Sequence, residues 1–305
     1  MKVLIFGSNG LVGSSVKRIL KDSTKVTEVI SAKRSDADLF SLEETNELIK
    51  SSSPDVIINA AAKVGGIYAN NTKRTEFILE NLKININILE SCIDDPSIKI
   101  INLGSSCIYP LNAENPISED SFMSGKLEQT NSPYAIAKIA GIEMGRSLNI
   151  QYGHQILNLM PTNLYGPNDN FSEKDSHVIP GLIRRMHDSK IQGENEFKIW
   201  GSGKPLREFL FVDDLAYAIN FLLNLKIDDD ILNVGSGNEI SIYDLAVKIK
   251  EVVGYDGKLI FDSSMPDGNP RKLIDSSKIN KLGWEARTDL SEGLKITYSW
   301  FLDNN

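Results

Sequence analysis

Short apolar runs alternate with longer amphipathic stretches through the first half of the chain. The runs are nearly continuous in hydrophobic residues, as expected for strands buried on both faces of a sheet. They are Lys2–Phe6, Val26–Ser31, Asp55–Ala60, Lys99–Gly104 and Gln155–Met160. Helices are predicted between them at Leu11–Lys21, Asn71–Ile93 and Ser132–Gln151. This alternation predicts an α/β fold built on a doubly wound parallel sheet with right-handed crossovers.

The pattern loosens after Pro161, where turns rich in proline and glycine separate shorter elements. Further elements are predicted at Arg207–Val212, Asp213–Leu225, Ile231–Gly235, Ser241–Val253 and Lys258–Asp262. We predict a first domain at residues 1–165, to which residues 206–236 return. Residues 166–205 and 237–305 are expected to form a smaller, interrupted α/β domain. An active site is expected in the cleft between the two domains.

The composition narrows the class of protein. The chain has 305 residues, 41% of them hydrophobic and 24% charged, which is ordinary for a soluble globular protein. A net charge of -8 argues against a nucleic-acid or membrane partner. No apolar run approaches the roughly 18 residues that span a bilayer, and the N-terminus does not resemble a signal peptide. Two cysteines give no disulfide framework, so a cytoplasmic location is expected, and no metal site is predicted.

A glycine-rich loop lies between the first predicted strand and the first predicted helix. Its residues are Gly7, Ser8, Asn9, Gly10, Leu11, Val12 and Gly13, with the spacing G-x-x-G-x-x-G. Glycines permit a tight turn and let backbone N–H groups approach a pyrophosphate at the helix N-terminus. A glycine triplet alone is a weak signal, but its position between strand and helix predicts a dinucleotide-binding domain of the Rossmann type.

The end of the second strand indicates which dinucleotide binds. An acidic residue there usually holds the ribose 2′-hydroxyl of NAD, whereas the 2′-phosphate of NADP requires a cation. This chain has Lys33 and Arg34, and no carboxylate until Asp36. The guanidinium of Arg34 can clamp a phosphate, although the two cations could also be solvated surface residues. We predict NADP, used as NADPH.

Tyr134 and Lys138 are four residues apart and therefore share one face of a predicted helix. A lysine cation near a phenol favours the phenolate, so the tyrosine can exchange a proton with a carbonyl or carbinol oxygen. Ser105 follows the fourth strand, at the sheet edge where open α/β folds bind ligands. It is predicted to hold the substrate oxygen, although a turn serine can also bond its own backbone.

These residues resemble the nucleotide-sugar branch of the extended short-chain dehydrogenase/reductase superfamily. The motifs that carry the resemblance are residues 60–67 (AAAKVGGI), 104–110 (GSSCIYP), 133–141 (PYAIAKIAG), 160–167 (MPTNLYGP), 177–180 (HVIP), 207–209 (REF) and 266–272 (PDGNPRK). The resemblance runs from the first strand to about Trp300. It implies an oxidoreductase that is also an isomerase, acting on a GDP-linked 4-keto-6-deoxy sugar.

In such an enzyme the C3 and C5 centres are epimerised before NADPH and Tyr134 reduce the C4 ketone. Epimerisation requires a base and an acid, and the resemblance implies that Cys107 and His177 supply them. A thiolate is a competent base, and histidine titrates near neutrality. Without the resemblance, Cys107 could equally well be a residue that packs in the core.

The resemblance also implies binding residues. Arg185, Trp200, Arg207 and Asp267 are expected to bind the GDP-sugar, and Lys272 could help Arg185 and Arg207 to neutralise its diphosphate. Further contacts with NADP are expected from Leu103, Gly104, Lys138, Pro161, Thr162, Asn163, Leu164 and His177. A homodimer formed through the helix that contains Tyr134 is expected. The role of Lys63, within the AAAKVGGI motif, is left open.

The alternatives are another nucleotide-sugar 4-reductase, a 4-epimerase or a 4,6-dehydratase of the same superfamily, and a non-catalytic NADP-sensing protein. A 4,6-dehydratase of this superfamily should carry an acidic pair where this chain has Ser106 and Cys107. A 4-epimerase keeps NAD bound and would not need Arg34. A non-catalytic NADP-sensing protein commonly loses the tyrosine–lysine pair, which is present here as Tyr134 and Lys138.

Overall fold

The computed structural model describes residues 1–173, 175–264, 267 and 269–304. Its strands are β1 (Lys2–Phe6), β2 (Glu28–Ser31), β3 (Val56–Asn59), β4 (Lys99–Leu103), β5 (Gln155–Pro161), β6 (Asn163–Tyr165), β7 (Glu196–Trp200), β8 (Leu206–Phe211), β9 (Ile231–Val234), β10 (Glu239–Ser241), β11 (Lys258–Asp262) and β12 (Arg271–Lys272). Its helices are α1 (Leu11–Lys21), α2 (Leu42–Ser52), α3 (Ile67–Thr72), α4 (Arg74–Glu90), α5 (Ser132–Tyr152), α6 (Val178–Ile191), α7 (Val212–Leu222), α8 (Ile242–Val253), α9 (Ser277–Lys281) and α10 (Leu290–Asn304).

Six parallel strands form the main sheet, in the order β2-β1-β3-β4-β5-β9. Successive side chains point to opposite faces of a strand, so β1 contributes to two cores. Val3 and Ile5 pack with α1 and α7 on one face, while Leu4 and Phe6 pack with α2 and α4 on the other. This arrangement confirms the predicted α/β fold with a doubly wound parallel sheet.

One predicted helix is wrong in its extent. The stretch Asn71–Ile93 was expected to form a single helix, but α3 begins four residues earlier and ends at Thr72. Lys73 separates the two helices, with a φ of −116° and a ψ of 41° that lie outside the helical range. The turn that precedes α3 is held by Asn70, whose amide donates to the carbonyls of Gly65 and Gly66.

A second, smaller sheet contains β10, β8 and β12, with β6 paired to β8, and β7 pairs separately with β11. The segment Arg207–Val212, expected to return to the first domain, thus has its strand β8 in this second sheet, where it pairs with β6. The alternation of β8 explains its position, because Leu210 packs in the core beside α7 whereas Phe209 and Phe211 pack with α6 and α8. From the same segment, α7 packs against α1 and β9 joins the main sheet.

The carboxyl ends of β1, β4 and β5 meet at one edge of the main sheet, because the strands are parallel neighbours of β3 or of one another. Gly7 follows β1, Ser105 lies two residues beyond β4, and Pro161 ends β5. Ligands of open α/β sheets bind at this edge. The fold thus brings the glycine loop and the predicted chemical groups to one side of the sheet. Among the described residues, no helix is long and apolar enough to cross a membrane.

Candidate active site

The glycine loop has the shape that a pyrophosphate requires. Gly7 has a φ of +74°, and its carbonyl accepts a 3.1 Å hydrogen bond from the Gly10 N–H. A Cβ atom at Gly13 would lie 2.1 Å from the Gly7 oxygen, so only glycine allows the helix to approach the loop. Gly10 precedes α1 without a side-chain cap, which leaves the first N–H groups of the helix for an anion.

The other residues of the loop differ in their surroundings. Ser8 is buried, and its hydroxyl donates to the Ala32 carbonyl at 2.9 Å, so this side chain fixes the loop to the end of β2. Asn9 is exposed, and Leu11 and Val12 are half-buried at the start of α1. The backbone of the loop, rather than its side chains, is therefore suited to hold the cofactor.

Two cations follow β2. Lys33 and Arg34 are both exposed, and Arg34 forms no ion pair within the described part of the chain. Asp36, the first carboxylate after β2, accepts a hydrogen bond from the Lys33 N–H at 2.8 Å and so closes the turn. These positions fit a 2′-phosphate, because a guanidinium without a protein partner can pair with it.

Ser105, Tyr134 and Lys138 come together at the end of β4. Lys138 is buried, and its Nζ donates to the Leu103 carbonyl at 2.7 Å while lying 5.7 Å from the centre of the Tyr134 ring. The Ser105 side chain forms a hydrogen bond with Tyr134 and also accepts one from the Cys107 N–H at 3.3 Å. The predicted triad is thus assembled from α5 and from the residues that follow one strand.

The surroundings of the triad alter its acidities. Burial lowers the pKa of Lys138 to about 8, so this lysine can lose its proton near neutral pH. Burial raises the pKa of Tyr134, negative charge on Cys107 raises it further, and the hydrogen bond with Ser105 lowers it. The tyrosine therefore carries its proton at neutral pH and can donate it to a substrate oxygen.

Cys107 lies beside the triad and next to a cation. It is half-buried in the 3₁₀ turn Ser106–Ile108, and Lys272 Nζ lies 3.8 Å from its Sγ. Lys272, which the sequence predicts at the diphosphate, lies on β12 with its ammonium beside this thiol. Cys92 differs, because it is fully buried behind the main sheet and burial raises its pKa to about 12. An ammonium near a thiol stabilises the thiolate.

His177 is the residue that precedes α6, and no side chain caps that helix. More than a third of its surface is exposed, as expected at the mouth of a cleft. Nearby protein nevertheless lowers the pKa of its imidazole by desolvation, while a hydrogen bond with the Gly65 backbone raises it. The His177 imidazole thus contacts the first domain, although the helix that follows it, α6, packs in the core of the second sheet.

Arg185 packs beside Phe197 and Trp200. The Arg185 guanidinium lies 5.2 Å from the centre of the Phe197 ring and 5.7 Å from that of Trp200. Burial lowers the pKa of Arg185, and the charge of Glu173 opposes this effect. Trp200 is 62% exposed, so one face of its indole is open for stacking. A cation beside an exposed aromatic ring suits a nucleotide diphosphate.

Arg207 and Asp267 lie near each other in the same region. Burial lowers the pKa of Arg207, and the charge of Asp267 opposes this effect. Asp267 accepts hydrogen bonds from the Ser202 N–H and hydroxyl at 2.8 and 2.6 Å, which lower the pKa of its carboxyl. Pro266 and Gly268, which belong to the same sequence motif, lie outside the described residues.

The residues expected at the nicotinamide end link β5 to β8. Thr162 and Asn163 both donate to the Glu208 carbonyl, at 3.2 and 2.8 Å. Pro161 is buried at the end of β5, and Leu164 packs against the core on the α1 side. Gly104 follows β4, where a Cβ atom would lie 2.2 Å from the Met160 side chain. These residues form the floor of the cleft beside Ser105.

Sequence reasoning missed several residues of the site. Gly65 bonds the His177 ring, and Phe77 packs edge-on against Tyr134 with ring centres 6.2 Å apart. Lys63, whose role was left open, forms an ion pair with Glu80 at 3.0 Å. The glycine pair in the AAAKVGGI motif was the one available signal, since paired glycines often mark a close backbone approach. Nothing in the sequence marked Phe77. Within the described residues, no cluster of His, Cys, Asp or Glu is arranged to hold a metal ion.

Comparisons with known proteins agree with this geometry. The sequence profile described as the NAD dependent epimerase/dehydratase family matches residues 3–235. The GDP-L-fucose synthase of Escherichia coli is 44% identical over 312 residues, covering 99% of this chain and 97% of that protein. GDP-L-fucose synthase 1 of Arabidopsis thaliana is 47% identical over 303 residues, covering 99% and 94%.

A solved structure extends the likeness to three dimensions. The GDP-L-fucose synthetase of Naegleria fowleri bound to NADP superposes with a TM-score of 0.91 at 30% sequence identity. The match covers 99% of this chain and 93% of that one. The similarity therefore extends over both sheets.

Proposed function

We propose that this chain, which belongs to the NAD dependent epimerase/dehydratase family, converts GDP-4-keto-6-deoxy-D-mannose into GDP-L-fucose with NADPH as reductant. The Escherichia coli and Arabidopsis thaliana relatives are named GDP-L-fucose synthases, and they are 44% and 47% identical to nearly the whole of this chain. One observation in the cleft carries the proposal further. Cys107 with its neighbouring Lys272 lies next to Tyr134, so a base for epimerisation adjoins the acid for reduction.

The residues that would hold NADPH fit its parts. The Gly7–Gly13 loop and the uncapped start of α1 suit the pyrophosphate, and Arg34 suits the 2′-phosphate. When bound, the cofactor supplies the hydride that is added to C4 of the sugar. Thr162 and Asn163 then line the nicotinamide end, where their hydrogen bonds to Glu208 keep β5 and β8 at a fixed spacing.

Epimerisation comes first in the proposed mechanism. C3 and C5 both adjoin the C4 ketone, so the proton on each is acidic enough for a side chain to remove. The Cys107 thiolate takes that proton, and Lys272 stabilises the thiolate's charge. His177 returns a proton to the opposite face of the same carbon, which inverts it. Ser105 and Tyr134 hold the C4 oxygen while it carries the enolate charge.

Reduction follows at the same carbonyl. Tyr134 donates its proton to the C4 oxygen as hydride reaches the carbon, which leaves a hydroxyl on the sugar and a phenolate on the protein. Lys138 lies 5.7 Å from the tyrosine ring and offsets the phenolate charge. Ser105, bonded to Tyr134, keeps the substrate oxygen within reach.

The second wall of the cleft would hold the GDP moiety. Arg185 and Arg207 are both desolvated and would pair with the diphosphate. Trp200 offers an exposed indole face for stacking, and Asp267, kept ionised by Ser202, would accept hydrogen bonds from the nucleotide.

The assembly and location follow from other observations. We propose a homodimer in which α4 and α5 pack against a second copy. Exposed apolar side chains on these helices support it: Leu79, Ile86, Ile136 and Ile150. A cytoplasmic location is proposed because both cysteines are free thiols and the chemistry requires one of them as a thiolate.

The test follows NADPH oxidation at 340 nm with GDP-4-keto-6-deoxy-D-mannose and identifies the product sugar by NMR. Consumption of NADPH with formation of GDP-L-fucose is expected. A reduced product with unchanged C3 and C5 would retain the reductase and remove the roles of Cys107 and His177. If this sugar is not turned over, nucleotide sugars that keep their C4 and C6 hydroxyls are tested next with NAD: inversion at C4 would favour a 4-epimerase, and loss of water would favour a dehydratase.

A further inference from the structure

A glycine pair brings the first domain against the residues that precede His177. The Gly66 N–H donates to the Asp175 carbonyl at 3.0 Å. A Cβ atom at Gly66 would lie only 2.4 Å from the Ser176 carbonyl oxygen, and one at Gly65 would lie 3.4 Å from that of Asp175. Backbone therefore meets backbone here, at a spacing that a side chain would prevent.

The opposite end of this segment is anchored to α4. The Lys63 N–H donates to Asn81 Oδ1, and Asn81 Nδ2 donates to the Lys63 carbonyl, both at 3.0 Å. Lys63 Nζ also pairs with Glu80 at 3.0 Å. Asn81 is 1% exposed, so these two backbone bonds are shielded from water. Residues 63–66 thus form a fixed shelf on α4 rather than a free loop.

An ion pair joins the same two regions a second time. Lys73, between α3 and α4, pairs with Asp175 at 2.7 Å, and this bond raises the pKa of the lysine. Both side chains are more than a third exposed, so the pair adds orientation more than strength. Asp175 is therefore held through its carbonyl by Gly66 and through its carboxylate by Lys73.

We infer that Lys63, Gly65, Gly66, Lys73 and Asp175 form a clasp that positions His177 as the proton donor. Asp175 and Ser176 directly precede His177, so their contacts with Gly66 and Lys73 fix the backbone from which the imidazole projects. One ring nitrogen is then expected to face the Gly65 backbone as N–H. The other nitrogen carries the proton that the imidazolium gives to the sugar carbon, and its loss leaves the neutral tautomer whose N–H faces Gly65. We assign these residues no contact with cofactor or sugar; they act through His177. This inference rests on the proposed function only in taking epimerisation as the reaction in which His177 donates a proton.

Gly66 is the position that tests the clasp alone. A Cβ atom at Gly65 would also contact Phe77, whose ring packs on Tyr134, so its substitution would disturb the reduction centre. A Cβ at Gly66 meets only the backbone of residues 175 and 176. Gly257 is the control for a crowded glycine elsewhere, because a Cβ there would lie 2.1 Å from the Tyr255 hydroxyl, just before β11.

The first measurement needs no substrate. The chain has three histidines, so the imidazole ¹⁵N signals can be assigned with His177→Gln as reference. We expect a single tautomer of His177 in the parent and in Gly257→Ala, and a mixture in Gly66→Ala. A single tautomer that persists in Gly66→Ala would overturn the clasp.

The second measurement follows deuterium entry at C3 and C5 of the keto sugar. Gly66→Ala should lose at least tenfold in exchange, with NADPH affinity unchanged. Lys73→Ala should lose less and Lys73→Arg should recover it, while Lys278→Ala, which breaks a similarly exposed pair with Asp229, should lose nothing. If Gly66→Ala does not fold, Lys73→Ala decides both measurements. Equal losses in Lys73→Ala and Lys278→Ala would contradict the clasp, and a parent that exchanges no deuterium would instead remove the proposed function.

Discussion

The proposed reducing group, Tyr134 with Lys138, and the proposed proton-transfer pair, Cys107 with His177, are supported by different parts of the molecule. Tyr134 and Lys138 stand on the 21-residue helix α5, with Lys138 bonded to the end of a central strand. Cys107 lies in a short turn and His177 at the start of a helix, and each is held by contacts from a distant segment. The first centre is positioned by regular structure, whereas the second depends on the two domains meeting.

A buried row of asparagines strengthens the first centre. Asn59 donates to Asn102 at 2.9 Å, and Asn102 donates to Asn158 at 3.0 Å, across three neighbouring strands. Asn59 also donates to Asn85 on α4, which in turn donates to the Ala137 carbonyl at 3.4 Å. The network therefore connects Ala137, the residue before Lys138, with β4. The last residue of β4, Leu103, accepts the hydrogen bond from Lys138. No such network was found around His177 in the described residues.

The largest effect is expected from a substitution that removes only the proposed proton donor for reduction, the Tyr134 hydroxyl. Tyr134→Phe should lower the rate of NADPH oxidation by roughly 10³-fold, because the proton for the C4 oxygen is lost. Deuterium exchange at C3 and C5 should fall less than NADPH oxidation, since Cys107 and His177 remain and Ser105 still holds the C4 oxygen. Stopped-flow absorbance and NMR on the same sample separate the two steps. Equal loss of both would show that the centres are not independent.

The converse substitution acts on the other centre. Cys107→Ser should slow the exchange at C3 and C5 by roughly 10²-fold, because a serine hydroxyl is a much weaker base than a thiolate. Cys92→Ser is the matched control; it should lower the melting temperature but leave the exchange rate unchanged, since that thiol is fully buried. Full exchange in Cys107→Ser would assign the base to another residue.

The cofactor contact lies outside both centres. Arg34→Ala should weaken NADPH binding by roughly tenfold, as expected for loss of one charge-assisted hydrogen bond worth about 1.5 kcal/mol. NADH lacks the 2′-phosphate, so its affinity should not change. Fluorescence titration of both cofactors measures the ratio, and an equal loss for the two would contradict the role of Arg34.

The acidity of Lys138 gives the reducing centre a pH limit. Its pKa is about 8 in the folded protein because burial disfavours the ammonium, against an ordinary value of 10.5. The cation is therefore lost as pH rises through about 8, and kcat/KM for reduction should fall about tenfold per pH unit above it. Lys138→Arg keeps its charge and should remove this limb. Between pH 8 and 10.5 the unfolded state binds more protons at Lys138 than the folded state does. The contribution of Lys138 to the free energy of unfolding therefore increases with pH in this range.

The sequence was most informative where local pattern determines position. The apolar runs predicted all the strands of the main sheet, because strands buried on two faces leave a continuous signal. Tyr134 and Lys138 could be paired from helical spacing, and the glycine loop from its place between strand and helix. These residues owe their positions to neighbours in the chain.

The missed features depend on contacts between distant segments. Lys272 reaches Cys107 across 165 residues, and β8 belongs to the second sheet although its sequence suits either core. Asn85 is only 2% exposed, but it lies in α4, whose apolar and polar residues are not clearly separated on two faces. The sequence therefore does not show that this asparagine is buried. Period and spacing describe one segment at a time, so they do not report which segments meet.

The smallest effect tests whether the asparagine row supports chemistry or only stability. Asn85 and Asn87 both lie buried on α4 and both donate to a distant carbonyl, Ala137 and Leu39 respectively. Substitution of either by alanine should lower the free energy of unfolding by about 1–3 kcal/mol, because a buried carbonyl loses its donor. Only Asn85→Ala should also slow NADPH oxidation, by less than about tenfold, since Ala137 adjoins Lys138. Urea unfolding and steady-state rates of NADPH oxidation, measured on both variants, distinguish the two roles. Equal oxidation rates in the two variants would mean that α5 alone positions Tyr134 and Lys138. The contrast with His177 would then rest on regular structure and not on the buried row of asparagines.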